Sequence, residues 1–258
     1  MIPKIIHYCW FGGKELGELE SRCLRSWKEK MPDFSIKQWD ESSIDLDKFP
    51  FAKEALKLRK YAFASDVVRL MALYVEGGIY LDTDVLVLKS FENLLNNSFF
   101  TGEYKPGALN AAIIGSVPNH LVLQQLLDYY QNLEFSQVNP KTIPEVFDEI
   151  LLNTKIDNIK IYPQDFFYPL PLDQKEKEYS KFLTRNSYCV HLWNHSWIDE
   201  FMLLKQFRFG KSVILNFRHI SLAPSIYLTF SHQTRYFKEF YIRLKSFLYI
   251  KIYGYKKN

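Results

Sequence analysis

The stretch between residues 51 and 88 constrains the fold most, because a helical pattern, a glycine stop and an apolar run follow one another there. Large apolar residues recur at a period of about 3.6, which predicts a helix over residues 51–75. These residues are Val67, Leu70, Met71 and Tyr74. Gly77 and Gly78 supply the helix stop, and the run IYLDTDVLVL predicts a strand that continues beyond its two aspartates.

Strands and helices alternate along most of the chain. Further strands are predicted in PKIIHYCWFGG, FSIKQWD, SFFTGEY, LNAAIIGS, IKIYPQDFFYPL and SYCVHLWNHSW. Further helices are predicted over residues 16–30, in HLVLQQLLDYYQNL and in TIPEVFDEILLN. Such alternation predicts an α/β fold with a central, mostly parallel sheet. A shift to basic and aromatic composition divides the chain into a main domain, residues 1–205, and a C-terminal region, residues 206–258.

Composition narrows the classes of protein to consider. The chain is 47% hydrophobic and carries a net charge of +4, which does not argue for a nucleic-acid partner. Three cysteines without metal-ligand spacing predict reduced thiols in a cytoplasmic protein. The N-terminal apolar segment is too short for a signal peptide, and no apolar run is long enough to predict a membrane span.

Two aspartates stand one residue apart at the end of an apolar strand. Asp82 and Asp84 share a strand face with Tyr80, because side chains alternate between faces. Two carboxylates on one face lie roughly 7 Å apart and repel each other unless a cation lies between them. The pair therefore predicts a divalent metal site suited to diphosphate chemistry, although such a tripeptide alone also fits a solvated turn.

The preceding helix carries an acid and a base on one face, Asp66 and Arg69, three residues apart. They form either a surface ion pair or part of the same cleft, where Arg69 would bind phosphate or sugar oxygens and Asp66 would accept sugar hydroxyls. Near residue 190, the segment HLWNHSW adds His191, a residue type that binds transition metals. The neighbouring His195 is expected to be packed or solvated.

Three segments resemble the signature blocks of glycosyltransferase family 32, in the expected order. They are IPKIIHYCWFGG, ASDVVRLMALYVEGGIYLDTDV and HLWNHSW. The resemblance implies a GT-A (Rossmann-like) nucleotide-sugar-binding fold, a nucleotide-sugar donor, Mn²⁺ or Mg²⁺, and retention of anomeric configuration.

The resemblance also implies the site residues. Asp66, Arg69, Asp82 and Asp84 would be the catalytic residues, and Asp82, Asp84 and His191 would be the metal ligands. The nucleotide-sugar-binding residues would be His7, Trp10, Asp66, Arg69, Tyr80, Asp82, Asn110, Ser196 and Trp197. Trp10 could stack on the base or could equally be a core aromatic. His195 stands where the family often has glycine, which puts the backbone of that loop in question.

The basic C-terminal segment has helical apolar spacing. One face is predicted to hold Phe237, Phe240, Tyr241, Leu244, Phe247 and Leu248. The surrounding Lys and Arg residues predict an amphipathic helix on an anionic membrane surface, with packing on the protein's own core as the alternative. A peripheral position on the inner face of the plasma membrane follows from this prediction.

The favoured function is therefore a metal-dependent, retaining glycosyltransferase with UDP-galactose as the first candidate donor. UDP-glucose, UDP-N-acetylhexosamines and GDP-mannose remain open. The acceptor would be a glycan, preferably a lipid-linked intermediate of a capsule, O-antigen or lipopolysaccharide. The alternatives are a non-catalytic relative that binds nucleotide sugars or glycans, and a metal-dependent phosphohydrolase.

Overall fold

The computed structural model describes residues 1–135, 141–151, 158–194, 203–204, 207–222 and 228–253. The chain divides into two compact units, Met1–Asn194 and His195–Asn258. The predicted domain boundary after residue 205 stays a prediction.

The first unit contains eight described strands. They are β1 (Ile5–Cys9), β2 (Ser35–Trp39), β3 (Gly78–Leu81), β4 (Val85–Val87), β5 (Phe99–Lys105), β6 (Ala108–Ser116), β7 (Ile159–Tyr162) and β8 (Cys189–His191). Its described α-helices are α1 (Glu18–Lys30), α2 (Pro50–Lys57), α3 (Tyr61–Glu76), α4 (Leu121–Gln131), α5 (Ile143–Leu151) and α6 (Gln164–Phe167).

Six strands form the central sheet, in the order β2-β1-β3-β6-β5-β7. Strands β1, β2 and β3 are parallel, β5 and β7 are parallel, and β6 pairs antiparallel with both β3 and β5. The predicted α/β fold with a mostly parallel sheet is thus confirmed. Strands β4 and β8 form a separate antiparallel pair.

The sheet has a separate hydrophobic core on each face. On one face, α2 to α5 bury residues such as Val67, Leu126 and Phe147. On the other face, α1, α6 and the β4–β8 pair bury residues such as Trp27 and Phe167. Strand β3 contributes to both cores because its alternate side chains point in opposite directions. Strand β3 therefore lies between the two cores along its length.

Two predicted elements are shorter than the sequence pattern suggested. The helix over residues 51–75 is divided into α2 and α3, with Arg59 between them at a positive φ of 56°. A non-glycine residue in that region of φ does not continue a right-handed helix. The predicted strand IYLDTDVLVL is likewise divided, since β3 ends at Leu81 and β4 begins at Val85 in the other sheet.

The second unit contains two described helices, α7 (Phe209–Leu222) and α8 (Phe230–Tyr253). Tyr236 is buried against Leu204, and Phe240 of α8 lies 5.3 Å from Phe209 of α7, measured between ring centroids. The six apolar residues predicted on one face of α8 do lie in one helix, but they differ in exposure. Three of them are half-buried (Phe240, Leu244 and Phe247), whereas the other three are exposed (Phe237, Tyr241 and Leu248). Among the described helices, none is long and apolar enough to cross a bilayer.

Candidate functional site

The two aspartates lie in the tight turn that leads from β3 to β4. The backbone N–H of Asp82 still donates to Ala112 of β6 at 2.9 Å, and the N–H of Val85 closes the turn onto the Asp82 carbonyl at 3.0 Å. Because the strand ends at Leu81, Asp82 and Asp84 do not stay splayed at the spacing of an extended strand. The turn lets both carboxylates face the same small volume.

His191 reaches the aspartates through strand pairing. In the β4–β8 ladder, Val85 lies opposite His191, so the imidazole stands beside the residue that precedes Val85. His191 Nε2 lies 3.1 Å from Asp84 Oδ1, and the N–H of Leu192 donates to the Asp84 carbonyl at 3.0 Å. One ligand atom each from Asp82, Asp84 and His191 lie within 4.8 Å of one another.

The Asp84–His191 contact is buried and polar. Burial raises the pKa of the Asp84 carboxyl, but the charge and hydrogen bond of His191 and the backbone N–H of Asn194 bring it below the usual 3.8. Burial lowers the pKa of His191, but the facing Asp84 raises it above 6.5 overall. The pair therefore favours an ionised carboxylate, the form that binds a cation.

The donor set of this cluster fits a divalent cation. Two carboxylates and an imidazole converge, and within the described part of the chain the buried Nδ1 of His191 has no hydrogen-bond partner. Carboxylate oxygens suit Mg²⁺ or Mn²⁺, and the imidazole nitrogen favours Mn²⁺ over Mg²⁺. The residues that the sequence predicted as metal ligands are brought together by the structure.

Arg69 is the centre of a second, adjoining network. Its guanidinium lies 3.1 Å from Asp66 Oδ1 and 3.3 Å from Asp82 Oδ1, and Nη1 donates to the Ala111 carbonyl at 2.8 Å. It also lies over the ring of Tyr80, 4.6 Å from the centroid. Asp66 and Arg69 are each only 5% exposed, so the alternative of a surface ion pair is wrong.

Tyr80 links this network to the aspartate turn. It faces α3 and is almost fully buried, and its hydroxyl donates to Asp82 Oδ1 at 3.0 Å. Asp82 is thus held by Arg69 and Tyr80 on one side, while its carboxylate belongs to the metal-ligand cluster on the other. The two networks share Asp82 and form one continuous polar site at the end of β3.

His7 does not fit its predicted contact with a nucleotide. The ring is fully buried, its Nε2 lies 2.8 Å from the Gly77 carbonyl, and its Nδ1 accepts the indole N–H of Trp39 at 3.0 Å. Burial lowers its pKa below 6.5, which is consistent with a neutral ring. Both nitrogens are therefore engaged within the protein, and His7 joins β1 and β2 to the glycine turn before β3.

Of the other residues predicted to bind the donor, the structure describes Trp10 and Asn110 but not Ser196 and Trp197. Trp10 follows β1, is half-buried, and donates its indole N–H to the Lys14 carbonyl at 2.6 Å. Asn110 lies in β6, where its Oδ1 accepts the N–H of Ala112 at 2.8 Å and its carbonyl accepts Tyr168 Oη at 3.3 Å. Ser196 and Trp197, like His195, lie outside the described residues.

Two polar residues of the site were not predicted from the sequence. The backbone N–H of Asn194 donates to Asp84 Oδ2 at 2.7 Å, and its side chain donates to Glu20 Oε1 at 2.8 Å. Asn194 was visible within HLWNHSW, but Glu20 carries no signal in a helix rich in charged residues. The packing of α1 against β4 brings Glu20 to this place.

Two family models match the chain. Residues 17–101 match the family described as "Glycosyltransferase sugar-binding region containing DXD motif", and residues 119–206 match "Alpha 1,4-glycosyltransferase conserved region". The first match includes Asp66, Arg69, Asp82 and Asp84, and the second includes His191. Over residues 17–101, which contain the Asp-x-Asp turn at the end of β3, the chain therefore carries the sugar-binding region of glycosyltransferases with a DXD motif. The resemblance found in the sequence is thereby confirmed.

Particular relatives are similar over different parts of the chain. A lactosylceramide 4-alpha-galactosyltransferase of Homo sapiens is 27% identical over 143 residues, covering 49% of this chain and 40% of the relative. The Pongo pygmaeus relative of that name has 64% of its length covered, so the chain spans less than two thirds of each. An uncharacterised glycosyltransferase of Acanthamoeba polyphaga mimivirus is 29% identical, with 83% of this chain and 91% of the relative covered.

Among solved structures, a glycosyltransferase called PaToxG superposes with a TM-score of 0.48 and 24% identity, covering 58% of this chain and 69% of that one. A galactosyltransferase crystallised with donor and acceptor sugar analogues gives a TM-score of 0.46 and 14% identity, with coverage of 81% and 94%.

Proposed function

We propose that the protein transfers a hexose from a nucleotide sugar to a glycan acceptor, with UDP-galactose as donor, Mn²⁺ as cofactor and retention of anomeric configuration. The observation that carries this proposal is the continuous site in which the Asp82–Asp84–His191 cluster adjoins the Asp66–Arg69–Tyr80 network. The galactosyl donor is favoured by the similarity to the lactosylceramide 4-alpha-galactosyltransferases. A lipid-linked glycan acceptor is favoured by the same similarity, since lactosylceramide is a glycan linked to a lipid.

The proposed roles follow from the chemistry of each group. A divalent cation held by Asp82, Asp84 and His191 would neutralise negative charge on the nucleoside diphosphate that leaves. Arg69 would add a fixed positive charge beside it, since its contacts with Asp66, Asp82 and Ala111 hold the guanidinium in place. Ser196 and Trp197 are proposed as neutral hydrogen-bond donors to the diphosphate.

Asp66 is proposed to bind the donor sugar and not to attack it. Its carboxyl is buried beside Arg69, and burial raises its pKa to about 7, so about half of the molecules carry a protonated carboxyl, which cannot attack, at neutral pH. A carboxyl group in that state exchanges hydrogen bonds readily with sugar hydroxyls. We therefore favour a front-face substitution, which needs no protein nucleophile, over a double displacement through Asp66.

The test is a panel of nucleotide sugars titrated with Mn²⁺, with both products identified. Glycosyl transfer to an acceptor or to water releases UDP, whereas a phosphohydrolase would release UMP and a hexose 1-phosphate. Binding of nucleotide sugar without turnover would support the non-catalytic alternative. Asp84→Asn keeps the size of the side chain but removes its charge, and we expect it to lower transfer by roughly 100-fold or more.

We also propose that α8 lies on an anionic membrane surface, on the inner face of the plasma membrane. One stripe of this helix exposes four large side chains, at i, i+7, i+11 and i+18: Phe230 (88%), Phe237 (63%), Tyr241 (66%) and Leu248 (47%). Exposed Lys238 and Lys245 flank the stripe. Apolar bulk bordered by cations matches the chemistry of an interface of acyl chains and anionic headgroups.

A further inference from the structure

Helix α1 holds the strand that follows the aspartate turn. The indole N–H of Trp27 donates to the Val85 carbonyl at 2.7 Å, and Ser26 Oγ accepts the N–H of Val87 at 2.9 Å. All four residues are buried, so each hydrogen bond satisfies a backbone group that water does not reach. One face of α1 is therefore fixed against β4 at both ends of that short strand.

Glu20 lies on the same face, two turns before Trp27, and is only 9% exposed. Burying a carboxylate is costly unless it is hydrogen-bonded. The structure provides Asn194, whose Nδ2 donates to Glu20 Oε1 at 2.8 Å. This contact joins residues 174 positions apart, from the first turn of α1 to the segment after β8.

Asn194 connects Glu20 directly to a predicted metal ligand. While its side chain is held by Glu20, its backbone N–H donates to Asp84 Oδ2 at 2.7 Å, and the other oxygen of Asp84 lies against His191 at 3.1 Å. The preceding residue, Trp193, has a positive φ of 55°. A bulky residue in that region is strained, so the chain needs contacts on both sides to keep this turn.

We propose that Glu20 is a positioning residue for Asp84: by holding the Asn194 side chain, it aims the Asn194 backbone N–H at Oδ2 and fixes the carboxylate for cation binding. The inference rests on the proposed function, since it concerns the same site. Hydrogen-bond partners of metal ligands orient those ligands, and their removal typically weakens metal binding by about 10-fold to 100-fold.

Two variants break this connection in different places. Glu20→Ala removes the acceptor, and Asn194→Ala removes the donor while leaving the backbone N–H at that residue. We expect each to weaken Mn²⁺ binding by about 10-fold or more, measured on the full chain by electron paramagnetic resonance of free Mn²⁺ without nucleotide. The double variant should lose no more Mn²⁺ affinity than either single variant, because both substitutions interrupt the same contact.

Two further variants exclude a general effect of charge or of helix stability. Glu20→Gln keeps a carbonyl oxygen that can accept from Asn194, so its Mn²⁺ affinity should lie close to that of the wild type. Glu18→Ala removes an exposed acid from the same first turn of α1, with the same influence on the helix dipole, and should leave affinity unchanged.

The outcomes separate this inference from the proposed function. If the wild type binds Mn²⁺ and transfers sugar, but folded Glu20→Ala and Asn194→Ala bind Mn²⁺ equally well, the positioning role is overturned and the function stands. If the wild type neither binds Mn²⁺ nor turns over any donor, both fail. Should Glu20→Ala not fold, Asn194→Ala together with Glu20→Gln decides the question.

Discussion

Asp66 illustrates how one buried side chain can carry a pH dependence. Burial raises the pKa of its carboxyl from 3.8 to about 7, more than the opposing effect of Arg69 lowers it. Between these two values the folded protein holds a proton at Asp66 that the unfolded chain has lost. Asp66 therefore lowers the free energy of unfolding as the pH rises through that interval, and above it this loss of stability stays constant.

Asp66→Asn should remove this contribution, because asparagine cannot ionise. The free energy of unfolding of the variant minus that of the wild type is expected to rise between pH 4 and pH 7 and then level off, by an amount on the order of a few kcal/mol. Urea unfolding at a series of pH values measures it. Asp128→Asn, at an exposed residue of α4, is the control for the loss of a carboxylate. If the difference between Asp66→Asn and the wild type does not vary with pH, the prediction is contradicted.

At the scale of single residues, the sequence was most informative about charged residues that stand within apolar segments. Asp82, Asp84, Asp66 and Arg69 stood in apolar surroundings, so a shared site was the physical way to accommodate them, and the structure brings them together. Glu20 could not be predicted, because nothing local distinguishes a buried glutamate from an exposed one in a charged helix. His7 was misplaced for the related reason that a histidine in an apolar strand gives no sign of what its ring contacts.

At the scale of elements, Gly78 is required where β3 starts. Its φ is +107°, and a Cβ there would lie 2.6 Å from the Ile5 carbonyl and 3.0 Å from His7 Nε2. The close approach lets β3 pair with β1, and the neighbouring Gly77 carbonyl contacts the His7 ring at 2.8 Å. The glycine pair is therefore more than a helix stop, since it sets the distance between two central strands.

Gly78→Ala should destabilise the fold by roughly 3 kcal/mol or more, because strain in φ is added to an overlap with backbone. Gly107→Ala is the matched control. Its φ of +76° is also positive, but nothing lies within 4 Å of the added Cβ. We expect the control to cost about 1 kcal/mol, measured for both variants by chemical denaturation. Equal losses would show that the close approach at Gly78 contributes nothing beyond strain.

Elements were predicted well in type and less well in extent. Periodicity correctly located α1, α4, α5 and most strands, since each carries its own apolar pattern. The divisions at Arg59 and after Leu81 were missed because apolar spacing continued across them. The pairing of β4 with β8 could not be predicted either. Three-residue strands have little pattern, and their partner lies about a hundred residues away.

At the scale of the whole molecule, the exposed stripe of α8 predicts attachment to anionic lipid. The double variant Phe237→Ser, Tyr241→Ser should reduce sedimentation with vesicles that contain phosphatidylglycerol by about 10-fold, since each buried aromatic contributes on the order of 1 kcal/mol or more. Leu121→Ser, at an exposed apolar residue of α4, is the control. If the wild type does not sediment with these vesicles, the membrane proposal is refuted. If it sediments equally well with vesicles of phosphatidylcholine alone, the electrostatic part is refuted.

The turn of Asp82, Thr83 and Asp84 is the chain segment by which the six-stranded sheet passes directly into the two-stranded pair. Asp82 follows a strand of the larger sheet, whereas Asp84 and His191 are anchored to the smaller one. An ion held by these three residues would connect the two sheets, which share no backbone hydrogen bonds as strand neighbours among the described residues. Binding of the ion would then reduce the motion of the β4–β8 pair relative to the six-stranded sheet, so this part of the first unit would be more rigid with the ion than without it.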